Sequence, residues 1–391
     1  MLCIPNKFTA SLIFEKAMKL PQILQQKLDE RKGNDQFRHL IPKGPLVDFA
    51  SNDYLGLAHN PWVFHRSNAL VVEAEGLKNG ATGSRLLTGH YPLYERAEAT
   101  VAQYHNAHSA LFFTSGFDAN IGLLGSVPQR GDLICYDELC HASIREGIRL
   151  SHAKSVKFRH NDLDHLTEVV QRKQITGQIY VVTESVFSMD GDSPNLKELC
   201  SLCTEQGWYL ILDEAHAVGA FGAGLANELD LEAQVFARLV TFGKAMGCHG
   251  AAVLSEVPLR EYLINFSKPF MYTTAMPPHA IATIQAAYEY VTENAALSEQ
   301  LQQRIDVFRT TVKEHFPSGS FLESRSAIQG LLLPKNAKKV SQLLAAKGFD
   351  VRPIFPPTVP EGQARLRICL HTFNTTEEIE ELLVRLATFV A

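Results

Sequence analysis

From about residue 92 the chain alternates short, largely apolar runs with segments of helical periodicity, and this rhythm limits the possible folds more than any other feature. The apolar runs cover 110–114, 132–136, 155–158, 179–184, 209–213, 239–242 and 251–255. They lack the polar–apolar alternation of a half-exposed strand. Strands buried on both faces and separated by helices make a mostly parallel sheet. Helices are predicted over 93–105, 117–125, 142–151, 163–172 and 196–206, so the fold class is α/β. Before this region, 20–39 reads as a helix with Ile23, Leu24 and Leu28 on one face. After it, 278–316 reads as one long helical stretch leading to a small α+β unit. That unit comprises strand 330–333, helix 339–347, strand 364–370 and a final helix with Ile379, Leu382, Leu383 and Leu386 on one face. Thr375 and Glu378 have capping-box spacing at its start. The expected division is an N-terminal helix and arm over 1–50, a large α/β domain over 51–290, and a small C-terminal domain with its linking helix over 291–391.

Composition narrows the function classes. The 391 residues are 46% hydrophobic and 20% charged, as in ordinary globular proteins. A formal net charge of −5 argues against a broad basic surface for nucleic acid or anionic lipid. The cysteines Cys3, Cys135, Cys140, Cys200, Cys203, Cys248 and Cys369 are odd in number and scattered, which points to a reducing compartment. Cys200 and Cys203 form a C-x-x-C within a predicted helix, with no second pair at zinc-like spacing, and no metal site is expected. No run approaches the ~20 apolar residues of a spanning helix. Residues 1–20, interrupted by Lys7, Glu15, Lys16 and Lys19, lack the apolar core of a signal peptide, so a cytoplasmic location is expected.

In parallel sheets ligands sit beyond the carboxyl ends of the strands. Ser115, Glu184, Asp213 and Lys244 all fall at such ends. Lys244 closes Thr241-Phe-Gly-Lys244, and a lysine held among small residues and partly desolvated can be deprotonated near neutral pH, as Schiff-base chemistry requires. Asp213-Glu-Ala-His216 could pair a carboxylate with a pyridinium nitrogen. The same four letters spell a helicase motif, but no G-x-x-x-x-G-K-[ST] loop precedes them. At Thr114-Ser-Gly-Phe-Asp-Ala-Asn120 a strand turns into a helix whose first N–H groups could bind phosphate, with Gly116 allowing close approach; Ser115 as a plain N-cap is the simpler alternative. The glycines between Gly76 and Gly89 lack dinucleotide-fold spacing. Strand alternation puts Arg365 and Arg367 on one face, where a guanidinium could hold a carboxylate or merely aid solubility. His141, after a strand and a short loop, could reach a ligand, and no histidine pair suggests a zinc hydrolase.

In this order the segments resemble the α-oxoamine synthase family of fold-type I pyridoxal-phosphate (PLP) enzymes, over nearly the whole chain from Asn52-Asp-Tyr-Leu-Gly56 onward. The specific stretches are Gly83-Ser-Arg-Leu-Leu-Thr-Gly89, Ser115-Gly-Phe117, His141-Ala-Ser143, Glu184-Ser-Val-Phe-Ser-Met-Asp-Gly191, Asp213-Glu-Ala-His216, Thr241-Phe-Gly-Lys244 and Tyr272-Thr-Thr-Ala-Met-Pro-Pro278. The resemblance implies a large PLP-binding domain with a small C-terminal one, and a homodimer with shared active sites. It implies that Lys244 forms the internal aldimine and moves protons at the substrate α-carbon, that His141 stacks on the ring, and that Asp213 pairs with the ring nitrogen. Ser188 and His216 would contact the ring hydroxyl region, with Glu184 in the same pocket. Ser115, Gly116, Phe117 and Thr241 would hold the phosphate, and Thr274 would reach the phosphate of a partner subunit. Arg367 would bind the amino-acid carboxylate, with Arg365 as competitor.

Within that family the chain is most similar to the 8-amino-7-oxononanoate synthases of biotin synthesis, which condense L-alanine with a pimeloyl thioester and release CO₂. Pro356-Pro-Thr-Val-Pro360 and the 83–89 stretch carry that likeness, and Thr358 and Arg38 fall where substrate contacts lie. Ala245-Met246 departs from the glycine and phenylalanine of some relatives, which bears on pocket shape. The alternatives are sister enzymes that use glycine with acetyl-CoA or serine with palmitoyl-CoA, and a non-catalytic module on the same fold.

Overall fold

A computed structural model describes residues 19–34, 37–40, 42, 44–76 and 78–390. They fall into two compact units divided between Pro45 and Leu46. In the first, helix α1 (Gln22–Gly33) buries no residue, and Ile23, Leu24 and Leu28 are all exposed.

The second unit is built on a seven-stranded sheet. Counting strands along the chain from β1 (Val47–Asp48), its members are β2 (Ser109–Phe113), β3 (Leu133–Asp137), β4 (Lys154–Phe158), β5 (Ile179–Glu184), β6 (Tyr209–Asp213), β7 (Ala237–Thr241) and β8 (Ala251–Ser255). The spatial order is β2-β8-β7-β6-β5-β3-β4. Neighbours are parallel except β8, which runs antiparallel to both β2 and β7. Only residues 242–250 join β7 to β8, fewer than the dozen or so that a parallel crossover needs, so the chain turns straight back.

Successive residues of one strand enter different cores. Cys135, Val181, Leu210 and Leu212 pack on one face, while Ile134, Val182 and Ile211 pack on the other. Double-sided burial is what the unbroken apolar runs require. The edge strand β4 exposes Lys154 and Lys157, charges that blunt pairing with another chain.

Two helices matter for the site, α4 (Gly116–Ser126) and α5 (Ala142–Leu150); α3 (Pro92–Tyr104) and an unexpected α2 (Pro61–Glu75) both pack on helix Pro278–Glu293. The single helix expected over 278–316 is two, Pro278–Glu293 and Ala296–His315. The break comes at Asn294, whose side-chain amide and backbone N–H both bond back to the Tyr290 carbonyl. The strand expected at 239–242 begins earlier, at Ala237. Its early residue Arg238 is almost fully buried because Glu214, Asn227 and the His105 carbonyl receive its guanidinium.

Toward the C-terminus β9 (Ile328–Leu332), β11 (Arg352–Ile354) and β12 (Arg365–Cys369) form an antiparallel sheet in the order β11-β12-β9. The short β10 (Phe349–Asp350) pairs in parallel with β1, joining the start of this unit to its end. Cys200 and Cys203 lie buried in helix Leu196–Gln206, and burial pushes their thiols up to about 11 and about 12, away from a reactive thiolate. Among the described residues no helix is long and apolar enough to cross a membrane.

Candidate active site

The carboxyl ends of β5 and β6 bring Glu184 and Asp213 into register, and β7 ends on Thr241 in the next position of the sheet. Beyond Thr241 the turn to β8 is held by the N–H of Phe242 on the Gly250 carbonyl and that of Cys248 on the Phe242 carbonyl. Lys244 projects from this turn, and its Nζ lies 2.7 Å from His216 Nε2. Burial pushes the Lys244 amine down to about 8, with Asp213 and Glu184 opposing and Arg367 assisting. Burial also holds His216 well below its ordinary value, with Lys244 and Arg367 adding to the effect, so its ring is neutral.

One set of proton positions satisfies the whole chain of contacts that follows. Lys244 donates to His216 Nε2, and His216 Nδ1–H donates to Tyr54 Oη at 2.7 Å. Tyr54 then donates to Asn52 Oδ1 at 3.2 Å, which also accepts from Arg367 Nη2 at 2.9 Å. Arg367 is further anchored by Nε–H on the Ser188 carbonyl at 2.7 Å and by Nη1–H on Cys369 Sγ at 2.9 Å. At least three of its five N–H groups are thus spent, Tyr54 also lies within hydrogen-bonding reach of the guanidinium, and what remains can meet an anion. Arg365 is engaged elsewhere: it pairs with Asp190 and bonds to Gln363.

A second network joins Asp213 to His141. Asp213 Oδ1 accepts from the Ala215 N–H, and its Oδ2 accepts from Asn120 Nδ2 at 2.8 Å. The same amide reaches Ser143 Oγ at 3.0 Å, and Ser143 bonds to His141 Nδ1 at 2.8 Å. The Ser143 N–H points to Nδ1 as well, so the neutral imidazole carries its proton on Nε2. Desolvation lowers the His141 pKa, with Lys244 and Arg145 assisting and Asp213 opposing. The His141 N–H donates to Glu184 Oε1 at 2.6 Å, while burial, and then the charge of Asp213, pushes Glu184 up to about 8.

At the start of α4, Ser115 is an N-cap: its Oγ accepts from the Asp118 N–H and donates to Asp118 Oδ2. The N–H groups of Gly116 and Phe117 are left without helix partners, as the first turn of any helix requires. A Cβ on Gly116 would come within 2.6 Å of Thr241 Cγ2, so the backbone here meets the end of β7 as closely as a glycine allows. This cradle, a half-buried lysine of lowered pKa and a carboxylate on a fixed amide fit the phosphate, aldehyde and ring nitrogen of PLP.

Other expected residues lie further out. Ser188 and Thr358 line a cavity of about 420 Å³ with Arg145 and Asp190. Thr274 is exposed and lines a small recess with Arg85 and Thr114. Phe117 is largely exposed, and Arg38 is an exposed residue of the first unit. Asn52, Tyr54, Asn120, Ser143 and Cys369 received no role from the sequence. Each lies within a segment that the sequence singles out, yet only the fold shows which partner it meets.

The family model for aminotransferase class I and II matches residues 44–386. The 8-amino-7-oxononanoate synthase of Emericella nidulans is 40% identical over 375 residues, covering 88% of this chain and 89% of that protein. Among solved structures, a serine palmitoyltransferase carrying its PLP internal aldimine matches with TM-score 0.85 at 25% identity, covering 94% of this chain and 96% of that one. The 8-amino-7-oxononanoate synthase of Francisella tularensis matches with TM-score 0.72 at 29% identity, covering 88% and 98%. A sheet order with one reversed strand, a lysine beside a buried carboxylate pair and these likenesses converge: the chain belongs to the class I and II aminotransferase family, as a PLP-dependent acyltransferase of the α-oxoamine synthase type.

Proposed function

We propose that the enzyme condenses L-alanine with a pimeloyl thioester, on CoA or on acyl carrier protein, releasing CO₂ and forming 8-amino-7-oxononanoate for biotin synthesis. The observation that carries this reading is the Lys244–His216–Tyr54–Asn52–Arg367 chain, which sets a proton-accepting amine and an anion-binding guanidinium at two ends of one network. The relative from Emericella nidulans, named an 8-amino-7-oxononanoate synthase, supports this choice of product.

PLP, when bound, supplies the electron sink that acidifies the substrate α-carbon. Lys244 holds the cofactor and, once displaced by substrate, takes and returns the α-proton. A pKa near 8 keeps a useful fraction of its amine free at neutral pH. Asp213, held by Asn120, would pair with the ring nitrogen and keep it protonated, and His141, oriented by Ser143, would stack on the ring. Gly116, Phe117, Ser115 and Thr241 would hold the phosphate, and in a homodimer Thr274 would reach that of the partner subunit. His216, bonded to Lys244, would contact the ring hydroxyl region, as would Ser188. Arg367 fixes the carboxylate so that the bond to be broken is held in one orientation. Thr358, beside the cavity shared with Ser188, serves the acyl donor. The site is cytoplasmic on this reading.

The likeness to serine palmitoyltransferase supports a second reading, serine with palmitoyl-CoA, and glycine with acetyl-CoA is a third. A panel of the three amino acids against the three acyl-CoA donors, read as CoA release, separates them: alanine with pimeloyl-CoA is expected to be fastest. Faster turnover with either other pair would reassign the substrate. Borohydride reduction of the yellow protein should place the cofactor on Lys244 and fail in Lys244→Ala; an adduct on another lysine would overturn the central assignment.

A further inference from the structure

Between β5 and helix Leu196–Gln206 the segment 187–192 curls on itself, with the Gly191 N–H on the Phe187 carbonyl at 2.9 Å and the Phe187 N–H on that of Asp192 at 3.0 Å. Gly191 has φ +77°, and a Cβ there would lie 2.3 Å from the Ile328 carbonyl, so the curl sits directly on β9. Three groups of this segment reach three different places. The Ser188 carbonyl takes the Arg367 Nε–H, Asp190 pairs with Arg365, and Asp192 Oδ2 meets His160 Nε2 at 2.8 Å.

His160 follows the edge strand β4, and its other nitrogen, Nδ1, lies 3.0 and 3.1 Å from the two carboxylate oxygens of Asp137. Asp137 ends β3, is fully buried, and is fixed in turn by the N–H groups of Leu139 and Asn161 at 2.8 Å each. An imidazole with a carboxylate at each nitrogen has to donate from both, so it is held as the imidazolium. Phe187 packs edge-on against the ring at 4.4 Å.

We propose that His160 is a positioning residue for the amino-acid carboxylate: bridging Asp137 and Asp192, it ties the 187–192 segment to the sheet and so fixes the Ser188 carbonyl that orients Arg367. This role rests on Arg367 as the carboxylate holder. Burial by itself would lower the His160 pKa, but hydrogen bonds and charge from Asp137 and Asp192 outweigh it and raise it to about 9. Glu138 meets the His160 N–H, Asp190 lies on the same segment, and Arg309, Lys313 and Arg325 line the adjoining cavity of about 920 Å³. His160, Asp190 and Asp192 also have metal-like spacing, but both His160 nitrogens face carboxylates and Asp190 pairs with Arg365.

The test measures KM for the amino acid and for the acyl thioester separately in the PLP-loaded enzyme. His160→Gln should raise the amino-acid KM roughly tenfold, the loss expected of one charge-assisted hydrogen bond. The acyl-donor KM should rise less than the amino-acid KM, because the segment only borders the cavity beside Thr358 but holds Arg367 directly through the Ser188 carbonyl. In the unmodified enzyme the amino-acid KM should climb as pH rises through about 9, and this limb should vanish in His160→Gln. Should that variant misfold, Asp192→Asn keeps an acceptor and removes one charge, and it should shift the limb to lower pH. An unchanged amino-acid KM in His160→Gln, while Arg367→Lys raises it, overturns the inference and leaves the Arg367 reading standing. If Arg367→Lys itself leaves the amino-acid KM unmoved, the Arg367 reading falls, and this role for His160 with it.

Discussion

Replacing Gly116 with alanine tests the phosphate cradle through one atom pair. The added Cβ would sit 2.6 Å from Thr241 Cγ2, whereas the next neighbours, Leu239 Cδ2 and Thr241 Cβ, are at 3.9 Å. Carbon atoms rest at about 3.5–4.0 Å, so the overlap is about 1 Å and belongs to a single methyl. Overpacking of this kind costs about 1–3 kcal/mol. Either α4 stays and the fold bears the strain, or α4 shifts and its N–H groups leave the phosphate. The sum of the loss in apoenzyme stability, from urea melts, and the loss in PLP affinity, from absorbance titration, should therefore be about 1–3 kcal/mol. Thr241→Ser removes the offending methyl at a cost of about 0.8 kcal/mol by itself. The double variant should recover most of the Gly116→Ala loss, giving a favourable coupling above about 1 kcal/mol. A neutral Gly116→Ala, or a double variant no better than the single one, would refute the close approach of α4 to β7.

Two further outcomes follow from the buried networks. Asn120→Leu removes the donor that serves both Asp213 and Ser143, and kcat should fall by about 10–100-fold with the cofactor still attached to the lysine; a kcat within twofold of the parent would discount the amide bridge. Glu184 has its folded pKa raised to about 8 from an ordinary 4.5, so between those values the folded chain keeps a proton that the unfolded chain has released. Apoenzyme stability should decline as pH rises from about 4.5 through about 8, and Glu184→Gln should flatten that decline in thermal melts at pH 6 and pH 9. An undiminished slope in the variant would assign it to another group.

Much of the sheet was legible because double-sided burial leaves unbroken apolar runs: β5, β6 and β8 lie where they were expected. The start of β7 was hidden by Arg238, a charge that looks external until Glu214 is seen beside it. The reversal of β8 could have been read from the short link after Thr241, since distance along the chain alone forbids a crossover. Helix α2 also carried its signals, Asn60 capping the Val63 N–H and Pro61 at the first position. The site divides similarly. Residues at strand ends, Glu184, Asp213 and Lys244, follow from a general rule for such sheets. Strand alternation put Arg365 and Arg367 on one face but could not tell which was already occupied; Asp190, supplied by a distant segment, makes that difference. Asn120 and Tyr54 were invisible for the same reason, because each acquires its task from a partner far away in the chain.

The pairing of β1 with β10 means that the site cannot exist on an unfinished polypeptide. Asn52, just beyond β1, shares a hydrogen bond with Arg367, which lies 315 positions later. A chain leaving the ribosome N-terminus first exposes the Lys244 turn well before the residues that complete the network around it. Cofactor capture in the productive geometry is therefore expected late in biosynthesis, and PLP binding to the finished fold would draw the folding equilibrium toward it by mass action.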